Sequence, residues 1–225
     1  MSIIMWILDK LGPVAIAVVA TQVLAQRFYE MRKPNLEMVP EAVQPGSWKI
    51  FDGKTGIVQS ELPYHVWKLK VQHKKIPQYL AWLIRYIDAA LQCEADLTFY
   101  DSKDTKLFTM QGRWVNTPEV SLISPFIRQE KIIYPDRIDI GYDSPEPLDC
   151  IVKIDDDEKV VYGWNNEAYA ATDAKNPTRY KLGIGTYKVH VRLSGKNFRQ
   201  FTTKFIVVIS ADWQETSLTL AEDQG

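Results

Sequence analysis

Histidine and cysteine are scarce in this chain, with three and two copies among 225 residues. Nucleophilic catalysis needs a nucleophile within reach of a base that a third group orients. His65, His73 and His190 fall in strand-like contexts or at a strand end, and no Gly-x-Ser-x-Gly elbow occurs. No His/Cys pair has the spacing of a transition-metal site, and neither a phosphate loop nor a dinucleotide fingerprint is present. Charge of one sign is also lacking. With 27 basic against 28 acidic side chains, the chain has no electrostatic footprint for nucleic acid. These absences point to a non-enzymatic protein with no cofactor and no catalytic or metal-ligating residues.

Uncharged apolar stretches are rare as well, and the one that exists stands near the start. Leu11 to Ala25 (LGPVAIAVVATQVLA) is followed by Arg27, Arg32 and Lys33. A bilayer core needs about 20 largely apolar residues, so the run reaches across only with its flanks. Those flanks are Ile3 to Leu8 on one side and Phe28 with Tyr29 on the other, giving residues 3–29 as the segment in contact with lipid. Asp9 and Lys10 then pair or sit near the interface, and Trp6, Phe28 and Tyr29 suit the headgroup level. The expected organisation is a single-pass membrane anchor over residues 1–33. The basic residues after the segment outnumber Lys10 before it, which places the rest of the chain on the cytoplasmic side. The alternatives are export with the segment cleaved after Val23-Leu24-Ala25, or a buried or interfacial helix. Ala17, Thr21 and Ala25 recur every four residues, a spacing that lets a partner membrane helix or a second copy approach closely.

Downstream the pattern changes to period two. Residues 34–62 are broken by Pro and Gly and read as a linker with short strands. Residues 63–215 read as a β-sandwich domain, and residues 216–225 as a polar tail. His65, Trp67, Leu69 and Val71 alternate with polar neighbours, as do Cys93 to Tyr100 and Tyr187 to Leu193. Asp101 to Asp104 reads as a turn before a return strand from Lys106 to Met110. Phe201 to Ser210 is apolar enough to be a strand buried on both faces. Leu80, Leu83, Ile84, Ile87 and Leu91 recur at helical spacing after Pro77, predicting one inserted short helix. Seven Trp and eleven Tyr suit a pleated, β-rich core. About ten strands and one helix give a mainly β, two-sheet sandwich of immunoglobulin-like type behind an N-terminal transmembrane helix. Cys93 and Cys150 both alternate with apolar neighbours and read as buried thiols in a reducing compartment. In an exported domain they would be placed to bridge two sheets.

Several stretches carry a resemblance. WKLKVQHKK (67–75), CEADLTFYD (93–101), GRWVNTPE (112–119), GWNNEAY (163–169) and NPTRYKLGIGTYKVHVRL (176–193) resemble uncharacterised prokaryotic proteins with an N-terminal membrane helix and an immunoglobulin-like β-sandwich. The similarity covers most of the chain after Pro34. It implies the architecture only, because no activity or catalytic residue comes with it.

Three groups of residues are candidates for contact. Trp164 and Tyr169 offer flat apolar faces, and Asn165, Asn166 and Glu167 offer donors and acceptors that suit a sugar or a peptide. The same mixture also serves a loop that plugs itself onto a sandwich. Lys74 and Lys75, with Trp82 and Arg85 on the predicted helix, suit an anionic membrane surface. Trp82 and its neighbouring leucines equally suit a helix covering one end of the core. Asp155, Asp156, Asp157 and Glu158 offer carboxylates to a hard cation, but lack the spacing and glycine of a calcium loop and read as a solvated hairpin turn. The expected function is a membrane-tethered binding or scaffold module. The alternatives are a pilin-like surface or filament protein with the N-terminal helix as assembly core, and a carboxylate-dependent hydrolase.

Overall fold

Alternation of apolar and polar residues turns into strands wherever one face can be buried, and these strands assemble two antiparallel sheets. The computed structural model describes residues 3–51, 58–77, 87–117, 136–154, 160–170 and 178–221. A helix, α1 (Ile3–Arg32), precedes the strands β1 (Leu36–Pro40), β2 (Gln44–Phe51), β3 (Val58–His73), β4 (Ala90–Tyr100), β5 (Lys106–Gln111), β6 (Arg113–Trp114) and β7 (Ile138–Ile140). Then come β8 (Glu146–Ile154), β9 (Val161–Gly163), a short helix α2 (Asn166–Ala170), β10 (Lys181–Leu182), β11 (Gly185–Ser194), β12 (Phe201–Ile209) and β13 (Ser217–Leu220).

The first sheet runs β1-β3-β8-β9-β10, with β2 also pairing β3 and β6 also pairing β8. The second runs β13-β12-β11-β4-β5, with β7 also pairing β4. One hydrophobic core joins them. Trp67, Leu69, Val71, Leu148 and Val152 from the first sheet are buried with Leu97, Phe99, Val189, Val191, Phe205 and Val207 from the second. The architecture is therefore mainly β and consistent with a β-sandwich.

Several elements differ from expectation. The stretch 34–62, expected as a linker with short strands, does supply strands, β1, β2 and the start of β3, and all are paired within the first sheet. Pro40 and Pro45 are tolerated because both strands lie along one side of β3, where a missing N–H removes no further ladder bond. The residues expected as a polar tail contain β13, which pairs with β12 through Leu218 and Val207. The helix expected after Pro77 falls mostly on residues 78–86, outside the described residues, and Ala90 and Leu91 belong to β4 instead. β12 is buried on one face only: Phe205, Val207 and Ile209 point into the core, while Val208 is 38% exposed. An outer-sheet strand has no second layer to cover it, so its apolar composition does not imply two buried faces.

α1 does form, and it runs without a break from Ile3 to Arg32. Among the described residues, however, no helix is long and apolar enough to cross a membrane. The apolar run Leu11–Ala25 within α1 covers about 22 Å at about 1.5 Å per residue, against about 30 Å of hydrocarbon.

Trp67 couples the sheets directly. Its ring is buried, and its Nε1–H donates to the carbonyl of Thr216, next to β13, at 3.1 Å. Trp67→Phe keeps most of the apolar bulk but leaves that carbonyl without its donor. The expected cost is about 1–3 kcal/mol, read as a lower urea midpoint at unchanged m-value.

Candidate functional site

The loop from Gly163 turns inward. Trp164, Asn165 and Asn166 are all buried. Asn165 Oδ1 accepts from the backbone N–H of Ala168 at 2.8 Å, capping the start of α2. Asn166 Nδ2 donates to Asp136 Oδ2 at 2.8 Å. Glu167 is half-buried and accepts from the Tyr180 hydroxyl at 2.6 Å. Burial and this neighbouring carboxylate push the Tyr180 phenol up to about 12. The polar groups expected to meet a ligand are thus engaged within the domain. Tyr169 lies in α2.

Of the residues expected at a membrane surface, Lys74 and Lys75 are exposed just past the end of β3, while Trp82 and Arg85 lie outside the described residues. Ala17, Thr21 and Ala25 are exposed on α1, and the Thr21 hydroxyl donates to the Ala17 carbonyl at 2.8 Å, so it is satisfied within its own helix. The acidic run Asp155 to Glu158 lies outside the described residues. Among the described residues, no group of three or more His, Cys, Asp or Glu side chains is placed to hold a metal ion. Cys93 and Cys150 are free and buried. Burial pushes the Cys93 thiol up to about 12 and the Cys150 thiol higher still, so neither is a thiolate at neutral pH.

A different surface brings polar groups together. On the outer face of the second sheet, pairing across β12, β11, β4 and β5 aligns side chains in rows. Thr202, Arg192, Asp96 and Gln111 form one row, and Lys204, His190, Thr98 and Thr109 the next. Lys188, Tyr100 and Lys106 form the third. Asp96, Thr98, Tyr100, Lys106, Thr109, His190, Arg192 and Thr202 from these rows line an open cleft of about 350 Å³. Arg192 donates through Nε (3.2 Å) and Nη2 to Asp96 Oδ2. The Thr98 and Thr109 hydroxyls are 3.0 Å apart. The Tyr100 and His190 rings lie 4.6 Å apart, tilted at 45°. Lys188 Nζ reaches Asp104 Oδ1 at 2.7 Å. Four cations (Lys106, Lys188, Arg192, Lys204) therefore face two carboxylates (Asp96, Asp104). Hydroxyls, a flat ring and surplus positive charge suit a hydroxylated, anionic ligand.

His190 titrates against this background. Burial lowers its pKa, with Lys204 and then Lys188 acting in the same direction and Asp104 opposing them. The unfolded chain, with an ordinary imidazole near 6.5, takes up the proton first as pH falls. Stability contributed at this position is thus present above about pH 6.5 and is lost as pH falls through the lower folded value. His190→Gln is expected to flatten that loss, measured as the urea midpoint between pH 7.5 and pH 5.

Sequence reasoning passed over this face because its members are outward positions of four strands and form no local motif. The only available signal was the polar half of each alternating strand. No family model, curated protein or solved structure matches the chain.

Proposed function

We propose that this chain is a non-enzymatic binding or scaffold module, an immunoglobulin-like sandwich held at a membrane by α1. The observation that carries the reading is the state of α1. Every residue from Ala17 to Met31 is exposed, and Val18, Val19, Val23, Leu24, Phe28 and Tyr29 are among the exposed large apolar side chains. At 100° per residue these positions fall all around the helix. A helix that is apolar all round is stable when buried in lipid or among other helices. The flanks Ile3 to Leu8 and Phe28 with Tyr29 supply the length that the apolar run lacks, and Lys74 and Lys75 meet the membrane surface.

The basic cluster Arg27, Arg32 and Lys33 supports a cytoplasmic sandwich. Two free, buried thiols suit the reducing compartment on that side. The outer face around His190, Tyr100 and Arg192 supplies the contact surface. The test is cosedimentation of the full chain with phospholipid vesicles. The wild-type chain is expected in the vesicle pellet and resistant to alkaline extraction. A chain with Val18, Val19, Val23 and Leu24 replaced by Asn is expected in the supernatant. A wild-type chain that stays monomeric in the supernatant would falsify the reading.

A further inference from the structure

Next to the end of α1, residues beside both sheets line an open cleft of about 490 Å³. Pro34 and Leu36 line it at the start of β1, Lys74 just past β3, Phe198 and Arg199 from the turn between β11 and β12, and Phe201 from the start of β12. We propose that this cleft binds the anionic, phosphate-bearing headgroup of an amphiphile, with Lys74 and Arg199 on the phosphate and the two phenylalanines against the adjoining apolar part. The headgroup identity rests on the membrane reading of α1, whereas the anion site itself does not.

Three observations converge. First, the lining holds two cations and no carboxylate, and neither Lys74 nor Arg199 enters an ion pair among the described residues. Three acidic side chains on neighbouring elements have partners of their own: Glu30 with Lys33, Asp88 with Arg32, and Glu37 with Gln72. Second, the walls are held in place. The Lys74 backbone N–H donates to the Asn35 carbonyl at 2.7 Å, closing the first-sheet side. Asn197 holds the turn by accepting from the Leu91 N–H at 2.9 Å and donating to the Ala89 carbonyl at 2.7 Å. The Phe198 ring sits where a Cβ on Gly195 would be, 2.3 Å from that position, so the ring rests directly on the backbone. Lys74 and Arg199 are exposed side chains carried on these held backbone segments. Third, the cleft opens immediately after Arg32 and Lys33, at the end of the helix assigned to the membrane, which sets it at headgroup level.

Binding is tested with the full chain in dodecyl maltoside micelles, titrated calorimetrically with glycerol phosphate, phosphatidylglycerol and phosphatidylcholine. Phosphatidylglycerol is expected to bind, and Lys74→Ala with Arg199→Ala together to weaken it about tenfold or more. Lys103→Ala, an exposed charge on a distant turn, should leave it unchanged. Tighter binding of phosphatidylglycerol than of glycerol phosphate supports a lipid, and equal binding supports a soluble phosphate ester in the same site. Equal binding of phosphatidylcholine, or no loss in the double variant, overturns the site. Retained heat of unfolding in the double variant separates lost binding from lost fold. Because micelle binding does not require α1 to enter a bilayer, failure here is distinct from failure of vesicle cosedimentation.

Discussion

Arg113→Met is expected to destabilise the sandwich by about 3–5 kcal/mol at neutral pH, the cost of leaving a buried charge without its partner. Arg113 on β6 and Lys68 on β3 both lie opposite Asp149 on β8, so the three strands carry a cation–carboxylate–cation row. All three side chains are buried, and Asp149 is 1% exposed. Arg113 Nη1 donates to Asp149 Oδ2, while Lys68 Nζ is directed to Gln44 Oε1. Asp149 Oδ1 has no hydrogen-bond partner among the described residues, so Arg113 is its principal source of compensation.

The pH dependence follows from the same geometry. Burial pushes the Asp149 carboxyl above the usual range, against the pull of Arg113 and Lys68. A raised folded pKa means that the folded state holds the proton more tightly than the unfolded chain, where an aspartate titrates near 3.9. The contribution of this group is therefore most favourable at low pH and is lost as pH rises through its folded value. Without Arg113 that folded value climbs further. The deficit of Arg113→Met relative to the double variant Arg113→Met/Asp149→Asn should accordingly shrink between pH 7.5 and pH 5. Urea titrations at the two pH values measure it. A cost below about 1 kcal/mol at pH 7.5, the range of an exposed pair, would show that Asp149 is not held as a buried ion.

How far the sequence disclosed this arrangement depends on where each strand sits. β4, β11 and most of β3 were legible because one face is buried and the other polar, which imprints period two on Cys93–Tyr100, Tyr187–Leu193 and His65–Val71. The turn after β4 was legible because Asp101 accepts from the N–H groups of Lys103 and Thr105, both at 2.8 Å. β2 was hidden by Pro45 and Gly46, which read as breakers. In the sheet Gly46 lies opposite Tyr64, whose ring fills the space a Cβ would need. The charge row was hidden because Lys68, Arg113 and Asp149 stand far apart in the chain, and each alone looks like a polar surface position. The loop Gly163–Tyr169 left two readings open for the reverse reason. Its Asn and Trp residues carry ligand-like chemistry, but the domain itself satisfies it, through α2 and Asp136. Composition records which groups need partners and leaves open whether the partner is internal.

Replacing Val18, Val19, Val23 and Leu24 by Asn is expected to shift the full chain from vesicle pellet to supernatant while the sandwich stays folded. Burying a Val or Leu side chain yields about 1.5–3 kcal/mol. Four such losses amount to roughly 6 kcal/mol or more, on the order of a 10⁴-fold change in partition. Few native contacts of the sandwich depend on these positions. The hydrogen bonds and ion pairs of α1 to the sandwich, among the described residues, are made at its last residue: Arg32 Nη2 pairs with Asp88 Oδ1, and the Arg32 carbonyl accepts from the Asp88 N–H, both at 3.0 Å. The pair is well exposed on both sides, so its contribution is small. Urea midpoints of the wild-type and substituted chains should then agree, because every replaced side chain is at least half exposed in the folded chain. Partition and folding are read separately, and three outcomes divide the possibilities. Loss of vesicle binding with an unchanged midpoint is the expected result. Wild-type chains that form large assemblies without vesicles, and lose them on substitution, would assign the same helix to a fibre core and replace the tether by the filament reading. A lowered midpoint would show instead that α1 packs on the sandwich, as an interfacial or buried helix does, and the membrane would no longer be needed to account for its apolar surface.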